Sequence, residues 1–136
     1  MNKFFGIALV VVALAVAVLP MFTDCQSQGK AIALANGKTV PMKCHWTGVG
    51  ELAVAIPAVG VGAMMTFSRR KENRRNLAVL GGIVGVVTML LPTQLIGVCS
   101  TQMLCNTVMK PSLLALGGVA ITVSALAFVS AWRQAD

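Results

Sequence analysis

The chain has 136 residues, of which 57% are hydrophobic and only 11% are charged, and its formal net charge is +7. Average soluble proteins carry about 25% charged residues, and the core of a soluble chain of this length could not bury so much apolar surface. This composition excludes a soluble enzyme, a disordered chain and a coiled coil. We therefore expect one integral membrane domain over residues 1–136, in which the basic residues report orientation.

Four apolar runs predict four membrane-spanning helices. A helix of about 20 residues rises about 30 Å, which matches the hydrocarbon thickness of a bilayer. The expected spans are about 4–22, 49–67, 77–96 and 112–132. The connecting segments are two outer loops, 23–48 and 97–111, and a cytoplasmic loop, 68–76. The expected fold is therefore an all-α membrane protein, a four-transmembrane-helix bundle.

The first span is expected to be a retained helix. Lys3 precedes an apolar run that contains Ala15-Val16-Ala17, as in a secretory signal. The run is longer than the apolar region of a usual signal peptide, which argues against cleavage.

The first outer loop predicts a small β-hairpin. Residues 30–40 show a short alternation of apolar and other side chains that includes Asn36-Gly37, a dipeptide typical of hairpin turns. Cys25 and Cys44 lie on either side of this segment, so we expect a disulfide-stapled cap on the membrane surface. The residues expected to bind a partner beside this cap are Lys43, His45, Trp46 and Glu51.

Glu51 is the only acid inside a predicted span, about one turn from its outer end. An acid in a membrane is a candidate functional residue, here for a small-solute transporter or channel. The alternative is structural, with Glu51 paired to Lys43 or Lys110 or bonded to the first helical turn. No second acid, His or Arg accompanies it inside a span, so an ion relay would lack its other stations.

The basic residues predict the orientation. Seven Lys and Arg residues lie at the termini and in the turn between spans two and three, against four on the other side. The positive-inside rule therefore places both termini in the cytoplasm of a multi-pass protein of the cell (inner) membrane. The turn could also contact anionic lipid, but it lacks the interleaved aromatic residues of a nucleic-acid site. Its basic residues are Arg69, Arg70, Lys71, Arg74 and Arg75.

The four cysteines all lie in the two outer loops. Cys25 and Cys44 belong to the first loop, and Cys99 and Cys105 belong to the second. Four cysteines on an oxidising side indicate two disulfides, for which three pairings are open. Pairing within each loop is the most local, and each bond would contribute roughly 2–4 kcal/mol.

Two other interpretations of the cysteines remain open. Thiol redox chemistry usually shows a Cys-X-X-Cys pair, which this chain lacks. Soft ligands that suit copper also occur in the outer loops, although oxidised cysteines are not thiolate ligands. We expect no cofactor in the leading interpretation, and the alternative copper set is Met42, Cys44, His45, Met103, Cys105 and Met109.

The two hairpins resemble each other in sequence. Leu19-Pro20 is followed by Cys25 and then by Met42-Lys43-Cys44, and Leu91-Pro92 is followed by Cys99 and then by Met103-Leu104-Cys105. The ordered match predicts two parallel hairpin repeats related by an axis along the membrane normal.

At Met42-Lys43-Cys44-His45-Trp46-Thr47, and again between Pro92 and Pro111, the chain resembles a family of small prokaryotic four-helix membrane proteins catalogued as a domain of unknown function. The resemblance covers essentially the whole chain. Members of that family are often encoded beside MacB-like/FtsX-like ABC transporters, and the resemblance therefore implies an accessory membrane subunit. A weaker similarity to the tetraspanin and claudin architecture rests on four spans and a disulfide-clipped cap alone.

No catalytic set is present, since the chain has one His and neither a phosphate loop nor a Ser-His-Asp arrangement. The leading hypothesis is a non-enzymatic membrane protein that binds another membrane protein, such as an ABC-transporter permease, or assembles with itself. The second is an outward-facing copper or thiol-redox protein, and the third is a transporter or channel around Glu51.

Overall fold

The computed structural model describes residues 2–133 of the chain. Within this range four helices are long and apolar enough to cross a membrane, which confirms the four predicted spans. They are α1 (Asn2–Thr23), α2 (Lys43–Phe67), α3 (Lys71–Leu90) and α4 (Lys110–Arg133). The protein is therefore a multi-pass helical membrane protein.

The helices extend beyond the apolar runs that predicted them. The prediction started α2 at residue 49, whereas the helix begins at Lys43. Likewise α3 begins at Lys71 and includes most of the basic residues, so only residues 68–70 connect α2 to α3. Hydropathy marks the part of a helix that lies in hydrocarbon, but backbone hydrogen bonding continues through charged residues in the interface.

Two π-helical turns lie at the same end of the bundle. Helix α3 continues into the turn Leu91–Leu95, and the turn Cys105–Met109 leads into α4. The N–H groups of Ile96 and Gly97 both donate to the Leu91 carbonyl at 3.1 Å. Gly97 has a φ of +79°, which lets the chain leave the helix directly after this turn.

The predicted β-hairpin is confirmed. Strands β1 (Ile32–Ala33) and β2 (Thr39–Val40) are antiparallel, and Ile32 lies opposite Val40. Gly37 takes a φ of +75° in the turn, as the Asn-Gly signal requires. Every residue from 31 to 40 is exposed, so the hairpin projects from the bundle and does not cover its core.

Glycines allow the helices of each hairpin to approach closely. A Cβ added to Gly6 of α1 would lie 2.8 Å from the Gly62 carbonyl oxygen of α2. A Cβ added to Gly85 of α3 would lie 2.9 Å from the Gly117 carbonyl oxygen of α4, and the converse distance is also 2.9 Å. Small residues thus bring α1 against α2 and α3 against α4.

The bundle has two chemically different ends. At the arginine end, defined by residues 69–75, the guanidinium of Arg75 lies 4.5 Å from the ring centre of Trp132 and joins the start of α3 to the end of α4. The cysteine end holds all four cysteines above a core that includes Val16, Ala55 and Leu113.

Candidate functional site

The four cysteines converge into one cluster at the cysteine end. Their Sγ atoms all lie within 4.8 Å of one another. Cys25 lies two residues after the end of α1 and Cys44 lies in the first turn of α2, whereas Cys99 follows α3 and Cys105 begins the π turn before α4. Each hairpin therefore contributes two sulfur atoms to the same site. Cys25, Cys44 and Cys105 are fully buried, and Cys99 is half-buried.

The cluster combines a disulfide with two thiols. Cys25 and Cys44 are bonded, with their Cα atoms 6.3 Å apart, whereas Cys99 and Cys105 are free. The structure thus contains the first of the two local disulfides that the sequence favoured, and the second is not formed. Two sulfur contacts join the hairpins, 3.3 Å from Cys25 to Cys105 and 3.7 Å from Cys44 to Cys99.

The two Met-X-Cys segments hold their cysteines in the same way. The Met42 carbonyl accepts the N–H of His45 at 3.0 Å, and the Met103 carbonyl accepts the N–H of Asn106 at 2.9 Å. In both segments the methionine therefore supplies the first carbonyl of a helical turn. The cysteine two residues after the methionine lies in that turn and faces the interior of the bundle, where Cys44 and Cys105 are fully buried.

Methionines surround the cluster. The Sδ atom of Met103 lies 3.8 Å from the Sγ atom of Cys25. Met109 is fully buried in the same core, and Met42 packs against it. Soft, polarisable thioethers fit around sulfur without requiring hydrogen bonds, so the cluster lies in a water-poor environment.

Asp24 and His45 form a polar pair beside the disulfide. The His45 Nδ1 atom lies 3.1 Å from the Asp24 Oδ2 atom, and the Ser27 N–H donates to Asp24 Oδ1 at 2.7 Å. Partial burial alone would raise the pKa of Asp24, but the hydrogen bonds from Ser27 and His45 outweigh it and lower that pKa. His45 is therefore directed at Asp24 and is not part of the four-sulfur group.

The six residues of the copper set proposed from sequence are thus only partly brought together. Cys44 and Cys105 belong to the sulfur group, and Met42, Met103 and Met109 lie in the surrounding core. His45 is the member that the structure places elsewhere. The sequence set also lacked Cys25 and Cys99, which complete the group.

The partner-binding set proposed from sequence is divided. Lys43 and Trp46 are exposed on α2, with Trp46 54% accessible, and His45 stacks edge to face on Trp46 at 5.8 Å. Glu51 cannot share this surface, because it is fully buried. Cys44 and Glu51 are seven residues apart on one helix, or about two turns, and therefore face the same interior.

The expected pairing of Glu51 with Lys43 or Lys110 is also wrong. Among the described residues, neither carboxylate oxygen has a hydrogen-bond partner of good geometry. The Thr88 side chain of α3 interacts with the carboxyl group without forming a hydrogen bond of good geometry. Because α2 begins at Lys43, Glu51 lies a full turn deeper in the bundle than the sequence predicted.

The basic residues predicted to set topology gather at the arginine end. Arg69 and Arg70 lie exposed in the short connection, and Lys71 begins α3. Arg74 is buried, with only 7% of its surface exposed, and Arg75 contacts Trp132. Some of these cations therefore also have a packing role.

The convergence of the cysteines was missed, although the sequence carried a signal for it. If the two hairpins are parallel repeats about one axis, equivalent loops meet near that axis. Cys25 would then correspond to Cys99, and Cys44 to Cys105. Such a relation would exchange the Cys25–Cys105 contact of 3.3 Å with the Cys44–Cys99 contact of 3.7 Å, and these two distances are similar.

Comparisons with known proteins give a family and no activity. No curated protein and no solved structure matches the chain. One family model, described as a domain of unknown function (DUF4418), matches residues 5–130. This match contains all four cysteines, both Met-X-Cys segments and most of each of the four helical spans. The chain therefore belongs to the DUF4418 family.

Proposed function

We propose that the protein is a membrane-embedded thiol–disulfide exchange protein. The observation that carries the proposal is a disulfide and two free thiols in one cluster, with cross-hairpin sulfur contacts of 3.3 and 3.7 Å. Exchange proceeds by attack of a thiolate on a disulfide sulfur, and such contacts bring attacker and target together. Spatial convergence here replaces the Cys-X-X-Cys spacing that the sequence lacks.

The first step passes the disulfide from buried to accessible sulfur. After losing its proton, Cys99 attacks Sγ of Cys44 at 3.7 Å, which forms the Cys44–Cys99 bond and releases Cys25 as a thiolate. Cys99 is the only member of the cluster that is not fully buried. Oxidising equivalents can thus move from the Cys25–Cys44 pair to a sulfur that a partner can reach.

The second step transfers the disulfide to a partner dithiol. A partner thiolate attacks Cys99 and releases Cys44, and the partner's second thiol then attacks the mixed disulfide and releases Cys99. The partner dithiol loses two electrons and two protons and becomes a disulfide, and the cluster takes them up as two thiols. The positive-inside rule supports an outward cysteine end, where protein dithiols become oxidised.

The test is to trap the mixed disulfide. Purified wild-type protein is mixed with a peptide that carries a single thiol, which can attack Cys99 of the Cys44–Cys99 disulfide but has no second thiol to resolve the adduct, and the adduct is mapped by mass spectrometry. The matched variant is Cys99→Ser, which keeps Cys25 and Cys44 but loses the accessible sulfur. We expect alkylation to report one disulfide and two thiols in the wild type, and peptide adducts only when Cys99 is present. Four thiols that neither oxidise nor exchange would overturn the proposal.

A soft metal site is the second candidate, favoured by the same convergence. Four sulfur ligands arranged tetrahedrally about 2.3 Å from zinc form a usual structural site, and Cys with Met suits copper. The four Sγ atoms within 4.8 Å, with Met103 beside them, match this donor set once the disulfide is reduced. Metal analysis of reduced protein decides the matter. One zinc or copper per chain that blocks alkylation of all four cysteines would replace exchange by metal binding.

The accessory role favoured by the sequence remains a proposal in its own right. Lys43 and Trp46 are exposed next to the projecting β-hairpin, where a membrane-protein partner such as an ABC permease, or a second copy, could bind. Purification from the native membrane in mild detergent tests it. A stoichiometric permease would support an accessory subunit, whereas a clean oligomer would support self-assembly.

A transporter or channel around Glu51 has less support. A cavity in the bundle lies beside Thr88 and is otherwise lined by apolar residues and glycine, with a volume of about 10 Å³. Such a volume holds about one water molecule. Unchanged solute flux in liposomes after the substitution Glu51→Gln would exclude this function.

A further inference from the structure

We propose that a membrane-soluble quinone binds in the groove between α1 and α2 and takes two electrons from the cysteine cluster. This inference rests on the proposed thiol–disulfide exchange, to which it adds the terminal electron acceptor. It starts from a groove of about 190 Å³ whose wall is apolar except at the end formed by Asp24 and His45.

The groove lies directly beside the disulfide along the chain. Asp24 precedes Cys25, and His45 follows Cys44. The two polar residues are 3.1 Å apart, so the same short segments hold both the Asp24–His45 pair and the Cys25–Cys44 bond. A ligand headgroup that reaches this pair therefore comes next to the segments that carry the disulfide.

The polar pair fixes the role of one ring nitrogen of His45. Asp24 accepts a hydrogen bond from Nδ1–H of His45, since a carboxylate is an acceptor only. In the neutral form of the ring, the Nε2 atom is then the acceptor that remains for a ligand. It can accept a hydrogen bond from the hydroxyl of a hydroquinone, the reduced form of a quinone. A quinone has no such donor, so this hydrogen bond favours the product of the electron transfer.

The remaining wall suits a molecule dissolved in the bilayer. Ala17, Gly48 and Leu52 form part of the groove, and Met21 and Val49 at its side are 56% and 44% exposed on an apolar helical surface. Drug-sized pockets enclose about 300–1,000 Å³, so this smaller groove fits a single ring while an apolar tail stays in lipid. A polar headgroup, an apolar tail and two-electron chemistry together describe a quinone.

The reaction balances with the quinone as the only oxidant. Cys25 and Cys44, reduced by the exchange described above, lose two thiol protons and two electrons and form one S–S bond. The quinone gains both electrons and both protons and becomes a hydroquinone. The cluster then again holds the Cys25–Cys44 disulfide that starts the next exchange.

The structure offers a matched control groove. A second groove of about 210 Å³ lies between α3 and α4 and contains Val79, Ser124 and other small or apolar residues, with no titratable group. Val49 and Val79 are 44% and 50% exposed, so one bulky substitution can be placed in either groove at similar exposure. The variants Val49→Trp and Val79→Trp therefore differ mainly in which groove they fill.

The experiment follows quinone reduction and thiol loss together. Full-length protein in nanodiscs is reduced, freed of reductant and mixed without oxygen with tetramethyl-1,4-benzoquinone, whose fully substituted ring resists thiol addition. We expect one quinone reduced per two thiols lost, a rate at least tenfold lower in Val49→Trp and His45→Ala, and a wild-type rate in Val79→Trp. Oxidised glutathione serves as a second oxidant, because it reaches the thiols without the groove.

The outcomes separate the two proposals. Exchange with glutathione but no quinone reduction would overturn the quinone site and leave thiol exchange standing. Equal quinone rates in Val49→Trp and Val79→Trp would also overturn it, since the groove would then be irrelevant. Thiols that react with neither oxidant would overturn thiol exchange itself.

Discussion

A protein that retains only Cys25 and Cys105 should form a disulfide between the two hairpins. The substitutions Cys44→Ser and Cys99→Ser remove the competing sulfur atoms and leave two whose distance is 3.3 Å. The comparison variant, Cys99→Ser with Cys105→Ser, retains the local pair Cys25 and Cys44, which is bonded in the wild type. Both variants change two cysteines to serine, so their composition is identical.

The size of the effect follows from the loops that the bonds close. Cys25 and Cys105 are 80 residues apart, whereas Cys25 and Cys44 are 19 apart. The chain-entropy relation gives about 4.5 kcal/mol for the longer loop and about 3.2 kcal/mol for the shorter one. Oxidation should therefore raise the free energy of unfolding by about 1 kcal/mol more in the cross-hairpin variant.

The assay cuts the chain between the hairpins. A recognition sequence for a specific protease is inserted in the connection at residues 68–70, and the cleaved protein is run on a non-reducing gel. The cross-hairpin variant should remain one band, and the local variant should separate into two fragments that heat in the gel buffer dissociates. Denaturation of the uncleaved variants with and without reductant then measures the difference in stability. Two fragments from the cross-hairpin variant after complete oxidation would refute the four-cysteine cluster.

Three further predictions concern stability. Gly117→Ala should destabilise the protein by about 1–3 kcal/mol relative to Gly118→Ala in thermal unfolding, because only the first Cβ meets the backbone of α3, at 2.9 Å; equal effects would mean that the helices separate freely. Glu51→Leu should raise the free energy of unfolding by about 1–3 kcal/mol, because the buried carboxyl lacks a good hydrogen bond; a loss would mean that Glu51 has a partner in the membrane. The lowered pKa of Asp24 stabilises the fold above about pH 4, the pKa of an unperturbed Asp, and this contribution is lost as the pH falls below that value. Thermal unfolding between pH 6 and pH 3 should therefore show an acid-dependent loss that Asp24→Asn lacks.

Apolar run length was sufficient to predict the four spans, because a bilayer imposes one thickness on every helix. The same reasoning placed the start of α2 at residue 49 and therefore put Glu51 near the surface. Lys43 and His45 lie in the first turn of α2, where polar side chains point outward while Cys44 points inward. The hydropathy averaged over such a turn is not apolar, so run length does not assign the turn to the helix.

The cysteine cluster was harder to predict because it depends on how two hairpins pack. Sequence distance favours Cys99 with Cys105, yet in the structure each of these sulfur atoms contacts the other hairpin as well. Loop closure describes an unfolded chain, whereas the native contacts follow from the helix ends that carry the cysteines. The repeated Met-X-Cys segment was the informative signal, since both copies begin a helical turn with an inward sulfur.

The position of the disulfide within the cluster determines what the redox state can do to the fold. The Cys25–Cys44 bond closes a loop inside one hairpin and leaves the hairpins joined by packing and by residues 68–70. Either cross-hairpin bond, Cys25–Cys105 or Cys44–Cys99, would tie the two hairpins together at the end opposite that connection. Exchange within the cluster therefore moves a covalent link between hairpins without a net change in oxidation. A partner that contacts both hairpins at the cysteine end would meet a different rigidity in each state, which connects the thiol chemistry to the interaction role proposed for this end of the bundle.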